Sequence, residues 1–383
     1  MELTLFVDHQ CNLRCSYCYN GEKFNRRMSS DTMRRAVDMV IEQPLNHLDL
    51  SFFGGEPLIH PEFLRETVDY VERAFSERRE PAPTLRFIVN TNATLIDDDT
   101  IDWMRTRSVT AFVSVDGPRD VHDRYRVDAG GRGSFDKTLA GIERLRAARI
   151  PTQIMVVFGP HTAARLGDAF AAVLGLGAEK IQLSANYRAD WTDAAIDRLR
   201  SGLDAAGDVW IEHFRAGHAL PVAPLHGKIL SHLKGGIPCP SRCRLGGNEI
   251  AIAPSGRIYP CPQMIGDDSN EALVIGHVDT GVDPDALARL DAQKARAAET
   301  CAPCDLRGRC ISDCGCRQVA LTGELGRITA TLCEIEAAYI DAADRVAEIL
   351  YAESNPTFLD YFYRRNWQPA PGAQLIPLRR REA

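Results

Sequence analysis

The sequence is first informative for what it lacks. No stretch approaches the roughly 18 consecutive apolar residues that a membrane span needs. The first ten residues, MELTLFVDHQ, hold neither a charged leader nor a long apolar core, so they do not read as a secretion signal. These two absences point to a cytoplasmic chain with no membrane partner. Basic excess is also missing. The 383 residues carry 45 Lys and Arg against 52 Asp and Glu, a net charge of −7. Phosphate backbones select for a basic face, so nucleic acid is not the expected partner. The run Arg379-Arg380-Arg381 is short and terminal, which fits a solvated tail. Internal repeats and low-complexity segments are absent. The last absence concerns position: between Cys18 and Cys239 there is no cysteine at all.

The cysteines that are present stand out against that gap. There are 12, three of them by residue 18 and nine between Cys239 and Cys333. A reducing compartment disfavours structural disulfides. Clustered thiols there point to metal binding or catalysis. The distribution implies two separate metal-binding regions.

Between these regions the chain alternates between strand and helix patterns. Strand-like segments fall at residues 2–8, 47–53, 85–90, 109–115, 152–158 and 180–185, each followed by a helical pattern. Six βα repeats predict an α/β fold with a parallel sheet, a partial (βα)6 TIM-like barrel open on one side. Chemistry in such folds sits at the C-terminal ends of the strands. The expected division is a barrel over 1–220, a cysteine-rich domain over 221–351 and an aromatic and basic tail over 352–383. A small loop-rich domain with so many cysteines would need metal staples.

The first strand runs into CNLRCSYCY, which places Cys11, Cys15 and Cys18 on one loop. Three thiolates hold three corners of a cubane cluster and leave the fourth iron open to a chelating substrate. A zinc site is the competing reading, with His9 as the fourth ligand. The C-x3-C-x2-C spacing after a strand, with Tyr17 and Tyr19 interleaved, resembles the signature loop of the radical S-adenosylmethionine (SAM) superfamily. One strand later stands Gly54-Gly55-Glu56-Pro57. It is similar to the segment with which that superfamily binds the SAM amino group, the glycines allowing close backbone approach. Asn92 and Ser114 end the next two strands and are expected SAM contacts, together with Tyr17. Segment 113–135, containing His122, Asp123, Arg126 and Ser134, looks like the subfamily of sulfatase maturases and peptide-modifying enzymes. His122 is read as a structural hydrogen-bonder.

The C-terminal pattern is Cys243-x12-Gly256-x4-Cys261, then Cys301-x2-Cys304-x5-Cys310-x3-Cys314, then Cys333. It closely resembles the seven-cysteine SPASM domain, which binds two auxiliary [4Fe–4S] clusters. The resemblance implies one cluster on Cys239, Cys243, Cys261 and Cys314 and another on Cys301, Cys304, Cys310 and Cys333. With the N-terminal cluster that makes three [4Fe–4S] clusters plus SAM. Cys316 is left over; packing as a small hydrophobe is the favoured reading, with ligation in place of a neighbouring cysteine or reaction with substrate as the alternatives.

The resemblance further implies oxidation of a ribosomal peptide or small protein by a 5′-deoxyadenosyl radical, giving a crosslink or thioether. A flavodoxin- or ferredoxin-type donor would supply electrons. Sulfatase maturases of this type carry an aspartate directly after the cysteine of the G-x4-C motif. Here Pro262 and Gln263 follow Cys261, which favours crosslinking, with Asp267 or Asp268 as other sources of a base. A protein oxidase of the sulfatase-maturase kind, a small-molecule dehydrogenase and a non-catalytic iron–sulfur or zinc protein are the alternatives. No leader-binding extension precedes the first strand, so a separate leader-binding protein is expected, or a surface such as the aromatic segment 358–367.

Overall fold

The computed structural model describes residues 1–43, 45–78, 83–236, 243, 245–247 and 249–365. Cys239, Trp367 and the terminal arginines lie outside them. Strand β1 (Glu2–Asp8) leads to helix α1 (Ser30–Ile41), β2 (His47–Gly54) to α2 (Pro61–Arg78) and β3 (Thr84–Thr91) to α3 (Asp98–Thr106). β4 (Thr110–Ser114) leads to the single turn α4 (Arg119–His122) and then α5 (Phe135–Ala147). β5 (Thr152–Phe158) leads to α6 (Leu166–Leu174), and β6 (Lys180–Ala185) to α7 (Asp193–Arg215). There follow β7 (Val222–Ala223), α8 (Leu225–Leu233), β8 (Glu249–Ile252), β9 (Arg257–Tyr259), β10 (Gly276–His277) and β11 (Gly281–Val282). The chain closes with α9 (Pro284–Thr300), α10 (Gly315–Thr322), α11 (Ala330–Ala352) and α12 (Pro356–Leu359). The fold is mixed α/β with a cysteine-rich C-terminal region, as the sequence predicts.

Two compact units share the chain. The first comprises Met1–Val115, His122–Gln153 and Arg244–Gln293; the second comprises Asp116–Val121, Ile154–Cys243 and Lys294–Ala383. They do not part at 220 or 351, and the reason is β8. It pairs in parallel with β1, Leu3 opposite Ile250 and Leu5 opposite Ile252. That pairing draws the start of the cysteine-rich region into the N-terminal sheet. The strand order of the first unit is β11-β10-β9-β8-β1-β2-β3-β4, with β8 to β11 antiparallel to one another.

β1 is apolar on both faces because it is central: Leu3, Leu5, Phe6 and Val7 are all fully buried. Each such side chain contributes about 1.5–3 kcal/mol. Helix starts follow local chemistry. Ser29 caps α1 by accepting from Thr32 N at 3.0 Å, and Asp97 caps α3 by accepting from Thr100 N at 2.8 Å.

In the second unit β5, β6 and β7 are neighbours in that order, and two 23-residue helices, α7 and α11, pack on one another. Leu203, Ala206 and Trp210 are buried on α7; Ala343, Val346 and Leu350 are buried on α11. Gly207 permits the approach, since a Cβ there would lie 3.0 Å from the Val346 side chain. The aromatic segment packs here too. Phe358 and Phe362 are fully buried, and both lie against Phe214 with ring centroids 5.6 and 6.2 Å away. Its described part is therefore core rather than a peptide-docking surface.

Candidate functional site

The first unit clamps its cysteine loop from three sides. Asp8 ends β1 and ties both ends of the loop: its Oδ1 accepts from Gln10 N at 2.9 Å and from Arg26 N at 3.1 Å. Its Oδ2 lies 2.8 Å from His60 Nε2. On the second side the exit of β2 is laced to the loop, Gly55 N donating to Asp8 O at 2.7 Å and Glu56 N to Gln10 O at 3.0 Å. A Cβ on Gly55 would sit 2.0 Å from Gln10 O, and one on Gly54 would sit 2.6 Å from Asp8 O. The two glycines thus admit the loop backbone itself. On the third side Arg14 N donates to Val127 O at 2.6 Å and Ser16 N to Tyr125 O at 3.0 Å. The loop is strapped antiparallel onto residues 125–128.

Within this clamp the three thiols are half-buried. Leu13 N donates to Cys11 Sγ at 3.4 Å, and Lys23 Nζ lies 2.9 Å from Cys18 Sγ. Burial, then the nearby Glu56 charge, pushes the Cys11 thiol up to about 12. Loading of metal at neutral pH must therefore displace a proton from Cys11.

Glu56 is buried and accepts three hydrogen bonds: Oε1 from Leu58 N (3.1 Å) and Thr91 Oγ1 (2.8 Å), Oε2 from Asn92 N (2.8 Å). Burial raises its carboxyl to about 7 against the pull of those bonds. Pro57, also buried, opens the short turn that Glu56 caps. Asn92 continues the network. Its Nδ2 donates to Asn12 Oδ1 at 2.9 Å and reaches Cys11 Sγ at 4.0 Å, and its Oδ1 accepts from Thr94 N and Oγ1. Asn12 Nδ2 closes the triangle on Thr94 Oγ1 at 2.7 Å. Asn12 and Thr94 escaped the sequence reading. Asn12 stands inside CNLRC, where attention went to the cysteines. Asn12 and Thr94 line a pocket of about 250 Å³ with Leu13, Asp128, Arg132 and Lys137.

Tyr17 stacks under the Arg126 guanidinium, 5.3 Å from it, and beside Tyr125. Ser114 ends β4 half-buried. His122 Nε2 meets Ser134 Oγ at 3.0 Å, the structural bond expected of it. His9 is fully buried against Phe6 and Phe24, with both ring nitrogens lacking a hydrogen-bond partner. Burial lowers its pKa to about 4, so it is neutral. The proposed alternative bases are otherwise engaged. Asp268 is buried, accepts from Tyr259 Oη at 3.0 Å and pairs with Arg26 at 3.5 Å. Asp267 is exposed and accepts from Ser269 N and Oγ. Cys261, in this same unit, caps the turn Pro262–Met264 and is half-buried.

The second unit holds the remaining described cysteines and another buried carboxylate, which meets residues beside Cys310 and Cys316. Glu336 Oε2 accepts from Lys228 Nζ at 2.6 Å and Ile311 N at 3.0 Å, and Oε1 from Arg317 at 2.5 Å. Burial pushes Glu336 up, but Arg317 and Lys228 outweigh it and hold the carboxyl low. Ile311 follows Cys310, and Arg317 follows Cys316, so this network fixes the backbone at both. Cys301, Cys304 and Cys310 lie within charge range of Cys333, whose thiol burial raises to about 11. Cys314 shares a sulfur hydrogen bond with Cys243, and its Sγ lies 3.2 Å from Cys316 Sγ.

Among the described residues no three Cys, His, Asp or Glu side chains converge as they would on one ion. Thiolates of a cubane each bond a different iron and stand further apart than ligands of a single ion. Leu13 N aimed at Cys11 Sγ and Ser312 N aimed at Cys310 Sγ are donors of the kind that cluster thiolates accept.

Comparisons with known proteins agree with this geometry. Residues 7–172 match the Radical SAM superfamily. A cysteine-type anaerobic sulfatase-maturating enzyme of Clostridium novyi (strain NT) is 24% identical over 281 residues, covering 67% of this chain and 72% of the relative. Two solved structures share the fold. One, native anSMEcpe with bound AdoMet and Cp18Cys peptide, has a TM-score of 0.75 at 18% identity, covering 92% of this chain and 100% of that one. The other, Streptococcus suis SuiB bound to precursor peptide SuiA, has a TM-score of 0.62 at 14% identity, covering 87% and 75%. No helix among the described residues is long and apolar enough to cross a membrane.

Proposed function

We propose that this chain, whose residues 7–172 carry the radical SAM domain, oxidises a ribosomal peptide or small protein in the cytoplasm. The observation that carries the reading is the clamped loop: three thiols held between β1, the Gly54–Gly55 exit of β2 and Asn92 at the end of β3. Cys11, Cys15 and Cys18 would hold three irons of a [4Fe–4S] cluster. A cluster held there would supply the one-electron reduction by which SAM is cleaved at a carbon–sulfur bond to a 5′-deoxyadenosyl radical.

The chain's own groups position the reaction. The Gly54–Pro57 turn, the Asn92 amide, the Ser114 hydroxyl and the Tyr17 ring are the proposed SAM contacts. Asn92 is oriented for this by Glu56, Asn12 and Thr94. Substrate held beside these groups would lose one hydrogen atom from carbon to that radical. A proton and a second electron must then leave the substrate for a net two-electron oxidation. The C-terminal cysteines, as ligands of two auxiliary [4Fe–4S] clusters, provide the electron's destination: Cys239, Cys243, Cys261 and Cys314 for one, Cys301, Cys304, Cys310 and Cys333 for the other. A flavodoxin- or ferredoxin-type protein would deliver the first electron.

Crosslink or thioether formation is the preferred outcome. Pro262 stands where a sulfatase maturase of this type carries its carboxylate, and Asp268 is bound to Tyr259 and Arg26. Protein side-chain oxidation of the sulfatase-maturase kind remains the second reading, supported by the similarity to the Clostridium novyi enzyme.

Anaerobic co-expression with any short peptide encoded next to the gene tests the proposal by mass. A loss of about two hydrogens per site, one two-electron oxidation, is expected. The Cys11, Cys15 and Cys18→Ala triple variant should leave the peptide unchanged and make no 5′-deoxyadenosine, yet keep about eight irons per chain. Absence of 5′-deoxyadenosine from the iron-loaded native chain would refute the radical SAM activity. Intact cleavage with an unmodified peptide would refute the peptide substrate alone.

A further inference from the structure

The chain as a whole is acidic, with a net charge of −7, but the region of the cysteine loop is not. The connection from β1 to α1, residues 9–29, carries Arg14, Lys23, Arg26 and Arg27 against Glu22 alone. The segment strapped onto it and its continuation, residues 124–137, carry Arg124, Arg126, Arg132 and Lys137 against Asp128 and Asp136. Eight cations against three carboxylates give these two stretches a net charge of +5, so the rest of the chain carries −12.

Most of these cations are occupied. Arg26 pairs with Asp268, Arg27 with Glu62 and Arg132 with Asp128. Lys23 meets Cys18 Sγ, and Arg126 is buried over Tyr17. Arg14, Arg124 and Lys137 are different: they are exposed and meet no carboxylate among the described residues. Arg14 is anchored beside the thiols, its Nη1 donating to Cys11 O at 2.5 Å and to Leu13 O at 2.9 Å. Arg124 lies over the Tyr125 ring at 5.8 Å, and Tyr125 O accepts from Ser16 N, between Cys15 and Cys18. Lys137 lines the pocket of about 250 Å³ that Asn12, Leu13 and Thr94 also line. Three cations without counter-charges thus flank the loop that holds Cys11, Cys15 and Cys18.

An acidic protein is attracted here and repelled by the remainder of the chain, which steers it into one orientation. Charges at the rim of a contact act on encounter more than on the lifetime of the complex. A small, charge-steered contact is the form that transient electron-transfer complexes take. The thiols are half-buried, so a carrier seated on the loop comes close to them. A peptide substrate has to reach the proposed SAM contacts at the strand ends, Gly54–Pro57, Asn92 and Ser114. An electron donor has only to reach the loop, and the loop is where the unpaired cations are.

We propose that this basic surface is the docking site of a small acidic one-electron carrier protein, which seats on Arg14, Arg124 and Lys137 with a carboxylate side chain in the Lys137 pocket. One electron leaves the carrier, which is oxidised, and enters the metal site of the loop, which is reduced; no bond forms. This rests on the reading that Cys11, Cys15 and Cys18 hold a reducible cluster.

Two reductants separate docking from chemistry: flavodoxin hydroquinone as the acidic protein donor and photoreduced 5-deazaflavin as a small neutral one. The iron-loaded native chain is compared with its Arg124→Glu, Lys137→Glu variant. 5′-Deoxyadenosine formation is followed against donor concentration, and flavodoxin binding is measured separately by calorimetry. The variant should need about tenfold more flavodoxin for half-maximal rate and bind it correspondingly less well. Raising salt from about 0.05 to 0.3 M should weaken binding to the native chain and leave the variant unmoved. With deazaflavin the two chains should run alike. Arg146→Glu, Arg289→Glu makes the same charge change at two exposed positions elsewhere and should behave as the native chain with both donors. An unchanged flavodoxin requirement in the first variant, an equal rise in the second, or a native chain that deazaflavin reduces and flavodoxin does not, overturns the docking site. So does an equal loss with deazaflavin, which would make Arg124 and Lys137 part of the loop's structure. A raised requirement for peptide instead of flavodoxin assigns the surface to the substrate. No 5′-deoxyadenosine from the native chain with either donor sinks the cluster reading itself.

Discussion

Two buried glutamates organise the two cysteine regions, and they do so in opposite ways. Glu56 meets only neutral donors: Leu58 N, Thr91 Oγ1 and Asn92 N. Burial therefore wins and its carboxyl rises to about 7. Glu336 is equally buried, but it meets Lys228 and Arg317, and its carboxyl is held low. The N-terminal loop is thus shaped by backbone lacing and neutral hydrogen bonds. The C-terminal thiols are held by an ion network that links α8, α10 and α11. Local chain geometry prepares the first site, whereas the second depends on charges brought together from residues up to 108 apart.

The largest expected effect tests the ion network. Glu336→Ala leaves the buried Lys228 and the part-buried Arg317 with no counter-charge there, which costs about 3–5 kcal/mol. Denaturant unfolding should show this loss. Iron bound by the C-terminal cysteines should fall while 5′-deoxyadenosine formation outlasts it. A loss below about 1 kcal/mol, the range of an exposed pair, would break the comparison.

Next comes the lacing of the first loop. Gly55→Ala places a Cβ 2.0 Å from Gln10 O. The obstacle is backbone and cannot swing aside, so a cost of about 3 kcal/mol is expected. Here SAM cleavage should fail first, with C-terminal iron intact. Equal loss of iron from both regions would show that the loop is not an independent site.

The same glycines show how far the sequence could be read. GGEP was legible as a functional segment, and β1 to β6 fell where hydrophobic patterning put them, β1, β5 and β6 to the residue. What the glycines face was not legible, since Gln10 O becomes their neighbour only once β1 and β2 pair. β8 escaped for a related reason: EIAI is four residues long, and only its partner β1 makes it a strand. Cys316 was visible, but its 3.2 Å approach to Cys314 depends on α10, a helix the Cys- and Gly-rich sequence did not announce. Glu336 lies in α11, yet its partners Lys228 and Ile311 come from elsewhere in the chain.

pH separates the two glutamates by sign. Glu56 in the folded chain keeps its proton up to about 7, whereas its ordinary value is 4.5. Its contribution is full below 4.5, declines as pH rises and is lost by about 7. The shift corresponds to about 3 kcal/mol. Glu336 runs the other way: its contribution is present above its ordinary value and is lost as pH falls through its lowered one. Glu56→Gln should remove the decline between pH 5 and 7. It should also cost about 1–3 kcal/mol, because the amide NH2 must face a backbone N–H of Leu58 or Asn92. Unfolding series from pH 5 to 8 on the native chain and the variant measure both effects. An unchanged slope would mean that Glu56 is ionised throughout and the two carboxylates are alike.

The smallest effect sharpens the contrast where a charge does enter the first site. Lys23 Nζ, 2.9 Å from Cys18 Sγ, is an ammonium aimed at one of the three loop thiols. If backbone lacing prepares the loop, Lys23→Met changes only the metal's hold on Cys18. Outer ligand partners of this kind are worth about tenfold in metal affinity. A chelator titration of the iron-loaded chain should therefore strip the N-terminal cluster at about tenfold lower chelator, with C-terminal iron and denaturant midpoint unmoved. A drop in the midpoint as large as that of Glu336→Ala would place a load-carrying charge in the first region and erase the distinction between the two.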